Sequence, residues 1–308
     1  MCKKWKIEYD THILKGDLDL AKNIKDRNLN RKFYKYRCFD DKQYWVDWIK
    51  GIIFLNSPNN FNDPFDCLIN VSQETSKLMF KDSIIKYFET QKIKLKKVDF
   101  NRLMYADDLI EVTCIILEQH GRKVNRTLLD RTLLERYTGQ RSESFLRETL
   151  RVSCFSEIKD SILMWSHYAN YHQGFCIEYN FSNDEHITDL LFPVVYNVER
   201  YKILPQFLKN KNLIIPTILC KAPEWSYEQE WRYANIINPE LCNHLENPTT
   251  KLSTINAIKA IYLGADAIKY NEAAVNELKQ IAKSRNIAIY EMKFDEYEYK
   301  LIPESIDH

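Results

Sequence analysis

The feature that most restricts the folds open to this chain is a change of hydrophobic period along it. Short runs dense in aromatic and β-branched residues, at 33–37 and 52–55, have the near-alternation of strands. From residue 72 apolar residues recur at helical spacing among many Lys, Arg and Glu, over 75–91, 98–120 and 127–151. Strand-like runs return at 152–155, 174–179, 192–196 and 227–237, with a helical or turn segment at 162–169. Strands on both sides of one helical block predict an α+β fold: a mixed, largely antiparallel sheet core with a helical insertion at about 72–150. Residues 1–31 read as a polar lead-in with one helical stretch near 17–27, and residues 32–308 as a single domain. A helix over 42–50 is expected to end at Gly51, and 56–66, rich in Asn, Asp, Ser and Pro, to form an ordered loop. The chain closes with a strand-helix-strand unit at 258–263, 271–284 and 287–292, right-handed if its strands are parallel.

Composition narrows function by exclusion. Only 6 glycines occur in 308 residues and none cluster, which argues against a Gly-rich phosphate-binding loop. Lys plus Arg total 44 against 43 Asp plus Glu, so there is no global attraction to nucleic acid or an anionic membrane. The 8 cysteines are scattered without a Cys-x-x-Cys pair, as expected of reduced thiols, and no metal is expected. The charged N-terminus lacks an apolar stretch behind it and residue 2 is Cys, so neither a signal peptide nor myristoylation is predicted. No apolar run nears the length of a membrane span, and a cytoplasmic protein without a membrane partner is expected.

Aromatic content, 13%, is high, and three aromatic-rich islands carry polar groups suited to chemistry. In Phe33-Tyr-Lys-Tyr-Arg37, Arg37 closes a strand and Lys35 lies on the same face two residues earlier. A guanidinium there can grip a phosphate or carboxylate with two parallel hydrogen bonds; a surface salt bridge is the plainer reading. In Met164-Trp-Ser-His-Tyr-Ala-Asn-Tyr-His172, the two histidines are five apart and miss the spacing of a helical metal pair. Trp165 and Tyr168 suit a stacking wall for a flat ring, with Ser166 or His167 donating a hydrogen bond, or else a packed cluster against the sheet. In Trp225-Ser-Tyr-Glu-Gln-Glu-Trp-Arg232, a strand puts Glu228, Glu230 and Arg232 on one face, spaced about 7 Å apart. Crowded carboxylates repel unless a cation or ligand compensates. Either Arg232 balances an acidic ladder on a solvated strand, or the carboxylates address an electron-poor sugar carbon and its acceptor.

Phe61-Asn-Asp-Pro-Phe-Asp66, Ser153-Cys-Phe-Ser156, Met164–Ala169 with Gly174-Phe175, Val195-Tyr196, Lys221 and Trp225–Arg232 occur in one order. With them the chain resembles the bacterial "domain of unknown function 2971" family over roughly residues 33–264. The order of an early Arg, a middle Ser or Tyr element and a late Glu-x-Glu is also similar to the ADP-ribosyltransferase fold. That resemblance implies NAD as substrate, bound without a Gly-rich loop. It implies that Arg37 binds the dinucleotide and that Ser166 or Tyr168, with Trp165 and His167, shapes the nicotinamide pocket. Glu230 would contact the nicotinamide ribose and Glu228 would be the first acidic residue, with Asn62, Asp63, Asp66 and Arg232 in support. Nicotinamide would leave through an oxocarbenium-like state, followed by attack from a protein, nucleic acid or water, chemistry suited to a toxin-like effector in phage defence. The middle motif of that superfamily begins on a strand, whereas 162–169 reads as a helix here.

Two other readings are open. Asp63 or Asp66 with Glu157 and Lys159 matches the Glu-x-Lys pattern of a metal-dependent nuclease, although the neutral charge offers no basic surface for a polyanion. A sensor module whose aromatic pocket recognises a nucleotide or peptide, without catalysis, is the other.

Overall fold

The computed structural model describes residues 3–68, 70–71, 73–125, 127, 150–203, 214–236 and 251–306. Two helices open it, α1 (Lys4–Lys15) and α2 (Leu18–Arg27), of which the sequence pattern had pointed only to the second. The buried residues of α1 are Tyr9 and Ile13, one turn apart, with partly buried Trp5 a turn before them, a stripe obscured by the surrounding charges. Both are fully buried with Ala21 against Phe192, Val195 and Leu219. Lys25, also fully buried, fixes α2 by donating to the Thr188 carbonyl at 2.6 Å and pairing with Asp26 at 2.8 Å.

β1 (Phe33–Arg37), α3 (Lys42–Ile49) and β2 (Ile52–Phe54) follow, the Asp41 side chain capping α3 through the Tyr44 amide. After the loop and β3 (Asn70–Val71) comes the insertion, with α4 (Gln73–Thr90), α5 (Lys97–Tyr105) and α6 (Leu109–Gln119). Its helices bury Ile84, Phe88, Leu103, Ile116 and Leu117 in a core of their own. The helix expected over 127–151 falls mostly outside the described residues, and Leu150 and Arg151 already belong to β4 (Leu150–Ser156). α7 (Ile162–Tyr168) and β5 (Phe175–Tyr179) come next, then β6 (Leu191–Pro193), β7 (Val195–Tyr196), β8 (Lys202–Ile203) and β9 (Cys220–Lys221). β10 (Glu230–Ile236), β11 (Lys251–Ser253), β12 (Ile258–Leu263), α8 (Ala267–Ser284), β13 (Ala288–Phe294) and β14 (Leu301–Ser305) complete the order.

Eight strands form one sheet, β14-β13-β12-β5-β1-β4-β10-β6, antiparallel except for the parallel pair β12 and β13 that flanks α8. The α+β architecture with a largely antiparallel core is therefore as the periodicity indicated. Alternation in β1 sends Phe33 to one face, packed with Trp45 and Trp48 of α3, Phe155, Trp231 and the apolar side of α8. Tyr34 and Tyr36 go to the other face, against Met164 and Trp165 of α7. Among the described residues no helix is long and apolar enough to cross a membrane.

Two features of this sheet prepare a site. β1 pairs with β5 along its whole length, from Phe33↔Tyr179 to Arg37↔Phe175, but meets β4 at the single pair Tyr34↔Ser156. Beyond it the two strands part in the middle of the sheet. The second feature seats Arg37: a Cβ on Gly174 would lie 2.0 Å from the Arg37 carbonyl oxygen, and one on Gly264 2.1 Å from that of His172. The link between α7 and β5 reaches this crossing through three consecutive left-handed residues, Asn170, Tyr171 and His172, with φ of 45°, 54° and 67°.

Candidate active site

A cleft of about 340 Å³ occupies the gap between β1 and β4, within the size range of small-molecule sites. Both faces of the sheet contribute to its lining: Tyr34 to Arg37 from β1, Val152 to Ser156 from β4, Met164, His167 and Tyr168 from α7, and Glu228 and Glu230. The loop before β3 adds Asn56, Asn60, Phe61, Asn62 and Asp66, and β9 adds Lys221. The three sequence islands thus converge on one cavity.

The acidic side of the cleft is a closed ion-pair network. Arg232, fully buried, grips Asp66 with two nitrogens at 2.8 and 2.6 Å and Glu230 through Nε at 2.7 Å and a terminal nitrogen at 2.9 Å. A further donation at 2.5 Å reaches the Ile218 carbonyl. Lys221 lies 2.5 Å from Glu228 Oε2, 3.1 Å from Glu230 Oε2 and 3.7 Å from Asp66 Oδ2. The remaining oxygen of Glu228 accepts the Tyr168 hydroxyl at 2.6 Å. Tyr196 completes the frame by accepting the Glu230 amide at 2.9 Å.

Three carboxylates therefore share two cations, and the imbalance separates the two glutamates. Burial alone would raise the Glu230 carboxyl, but Arg232 and Lys221 overcome it and hold the group well below the ordinary carboxylate range. Burial and the neighbouring charge of Glu230 push Glu228 upward, against the opposing pull of Lys221 and Tyr168. Lys221 stays charged because Glu230, Glu228 and Asp66 outweigh its burial.

The route to this pair differs from the expected one. The chain does not run as a strand from 227: Pro223–Glu228 forms a 3-10 helix, opened by Pro223 whose missing amide hydrogen costs nothing there. Gln229 then takes a left-handed conformation, φ 42°, before β10 starts at Glu230. Glu228 is consequently off the strand, and it meets Glu230 through Lys221, not through strand alternation.

The other wall is cationic. Lys35, 6% exposed, donates to Ser153 Oγ at 2.9 Å and to the Cys154 carbonyl at 2.6 Å, bridging the gap where β1 and β4 have separated. The Arg37 guanidinium lies over the Trp48 ring at 4.1 Å from its centroid, and its buried Nε has no hydrogen-bond partner.

Of the remaining predicted residues, Trp165, Ser166 and Asp63 lie outside this lining. Trp165 is fully buried beneath α7, donating to the Lys159 carbonyl at 2.7 Å. Ser166 turns to the Ile162 carbonyl and His172. Asp63 closes the loop by accepting the Phe65 amide at 2.8 Å. His167 does line the cleft, with Nδ1 3.0 Å from the Tyr227 hydroxyl. Glu157, required by the nuclease reading, accepts Trp231 Nε1 at 2.8 Å and pairs with Lys3, apart from the cleft. Lys221 was not among the predicted site residues; its only signal was its place in the family pattern.

Compared with known families, residues 164–233 match a family described as "Protein of unknown function (DUF2971)". That span holds most of α7, Tyr196, Lys221 and the Glu228–Arg232 run, while β1 and the Phe61–Asp66 loop lie before it. No curated protein matches the chain, and no solved structure does.

Proposed function

We propose that this cleft binds a nucleotide and breaks its glycosidic bond, with NAD as the substrate and Glu228 as the reacting carboxylate. The observation that carries the reading is the division between the two glutamates. Glu230 has both oxygens engaged by Arg232 and Lys221, which suits a fixed anchor. Glu228 lines the cleft, is held by a tyrosine and a lysine, and has its carboxyl raised by burial and by Glu230, so it takes up a proton more readily than an ordinary glutamate. The role assigned to Glu230 by resemblance passes to Glu228.

In the proposed reaction the bond between ribose C1′ and the nicotinamide nitrogen breaks, and its electron pair departs with neutral nicotinamide. Glu228 faces the positive charge that develops on the sugar. An acceptor oxygen or nitrogen then bonds C1′, and its proton passes to Glu228. A carboxylate kept in place by Lys221 and Tyr168 needs little reorganisation as that charge appears, which is where electrostatic catalysis is most effective. The Tyr168 ring and Phe61 offer flat apolar surface for the heterocycle.

The test is incubation of the purified protein with NAD labelled in the nicotinamide. Release of nicotinamide, lost in Glu228→Gln at a nearly unchanged melting temperature, is the expected result. Undiminished release by that variant overturns the assignment. A rise in melting temperature with NAD, without any product, favours a sensor in its place.

A further inference from the structure

We infer that one end of the helical insertion is a docking surface for a nucleic-acid backbone. The charges of the chain balance as a whole, but not here: residues 91–98 and 120–125 hold six Lys and Arg and no Asp or Glu. Lys92, Lys94, Lys96, Lys97, Arg122 and Lys123 are all exposed. The fold gathers the two segments. α4 ends at Thr90 and α6 at Gln119, and Arg122 donates to the Gln91 carbonyl at 3.3 Å, which brings the two helix ends side by side. α5 starts at the same end, with Lys97. The far end, where α5 turns into α6, carries Asp107, Asp108 and Glu111, so charge is segregated along the insertion.

Local stability does not account for this basic end. Among the described residues none of the six makes an ion pair, whereas Lys86, earlier on α4, pairs with Asp82 at 3.0 Å. Basic groups favour the carboxyl end of a helix, which suits Lys92 and Lys123. Lys96 and Lys97 do the opposite, because they cap and open α5, where the helix dipole is positive. Asp99, the next acid in the chain, is buried and accepts the Lys96 amide at 3.3 Å, while Glu89 and Glu118 stand only at the margins. Like charges gathered this way repel, and a polyanion relieves the repulsion. Their arrangement suits a chain of phosphates. Ile93 is buried and Leu95 partly buried in the insertion's own core, while Lys92, Lys94 and Lys96 face water. Alternate residues of an extended segment lie about 7 Å apart, so these lysines form a row that can follow one strand. Phe100, 43% exposed in the first turn of α5, offers a ring to an unpaired base. A membrane fits less well, since Ile93 and Leu95 turn inward and an end made to enter lipid presents its apolar side chains outward. The surface lies outside the cleft chemistry and does not depend on it.

The test is fluorescence anisotropy of a short labelled DNA duplex and, in parallel, a single-stranded RNA, each titrated with the full chain over a range of salt. Wild-type protein is expected to bind at micromolar concentration in low salt. Lys94→Ala/Lys97→Ala should bind the duplex about tenfold more weakly, with a salt slope shallower by about two, one for each lost phosphate contact. Lys94→Arg/Lys97→Arg keeps the charge and should keep the slope. Lys15→Ala/Lys283→Ala removes two exposed lysines elsewhere and should match the wild type. An equal loss in that control, an unchanged slope in the first variant, or no binding of either probe by the wild type overturns the surface. Tighter binding of the duplex identifies a helical backbone, and tighter binding of the RNA a single strand stacked on Phe100; either supports it. Capture by vesicles of mixed phosphatidylcholine and phosphatidylserine, without binding of either nucleic acid, overturns it in favour of a membrane.

Discussion

The two walls of the cleft balance their charge in opposite ways. On one, Asp66, Glu228 and Glu230 surround Lys221 and Arg232 so closely that almost every donor has an acceptor. On the other, Lys35 and Arg37 stand on tryptophan and phenylalanine rings with no carboxylate ion pair among the described residues. Only the first wall is complete as built, so it holds the fold. The second has a buried donor left over, Arg37 Nε. A network that is fully satisfied also fixes the position of anything attached to it, and burial with the charge of Glu230 raises the Glu228 carboxyl within it.

The largest expected effect comes from opening the closed wall. Arg232→Ala strands Asp66 and Glu230 in the interior, and breaking a buried pair on one side costs about 3–5 kcal/mol. A fall in melting temperature on the order of 10 °C, or loss of the cooperative transition, is expected in calorimetry. A melt within a degree or two of wild type contradicts the idea that this wall is structural.

Glu228→Gln tests where the closed wall turns functional. The amide keeps the volume and the Tyr168 contact, so stability changes little, while nicotinamide release should fall at least about a hundredfold, as for loss of a general acid–base group. The acid limb of kcat/KM should have its midpoint above the ordinary glutamate value of about 4.3, because the Glu228 carboxyl is raised. That limb should vanish in the variant. A midpoint at or below the ordinary value argues that another group controls the rate.

How far the sequence foretold this contrast depends on the range of each interaction. Strand alternation is local, so Phe33–Arg37 and the placement of Lys35 beside Arg37 were readable. The first helix of the insertion was readable for the same reason, whereas the run 98–120 breaks at 106–108 into α5 and α6. Lys221 was not, because it meets Glu228 from a two-residue strand and through a turn that no periodicity records. Gln229 defeated the pattern outright: one left-handed residue removed Glu228 from the strand on which alternation had placed it. The gap between β1 and β4 is a tertiary outcome, since nothing in either strand announces that pairing stops after Tyr34 and Ser156. Asp66 and Arg232, partners across 166 positions, met only once that topology was known.

The depressed carboxyl of Glu230 gives a pH test of the closed wall. Its ionised form is favoured by folding, so the stability it contributes is fully present above the unfolded value of about 4.3 and is lost as pH falls toward the lower folded value. The gap in melting temperature between wild type and Glu230→Gln should therefore be widest near neutrality and narrow once pH falls below about 4. A gap that is constant with pH would show that Glu230 contributes shape and not charge.

The smallest effect is the most discriminating, because its sign differs from that of the first. Lys35→Met removes a cation whose charged form is disfavoured in the fold, so the variant should gain stability at neutral pH, where Arg232→Ala loses it. The gain is on the order of 1 kcal/mol, since the Ser153 hydroxyl and the Cys154 carbonyl each lose a donor in exchange. Folding lowers the affinity of Lys35 for its proton, so the advantage of methionine is complete below the folded value. It shrinks as pH rises from there toward the unfolded value of about 10.4. Melts of both proteins across that alkaline range are the measurement. A destabilised Lys35→Met would mean that the lysine serves the scaffold like Arg232, and the two walls would then differ only in the number of their partners.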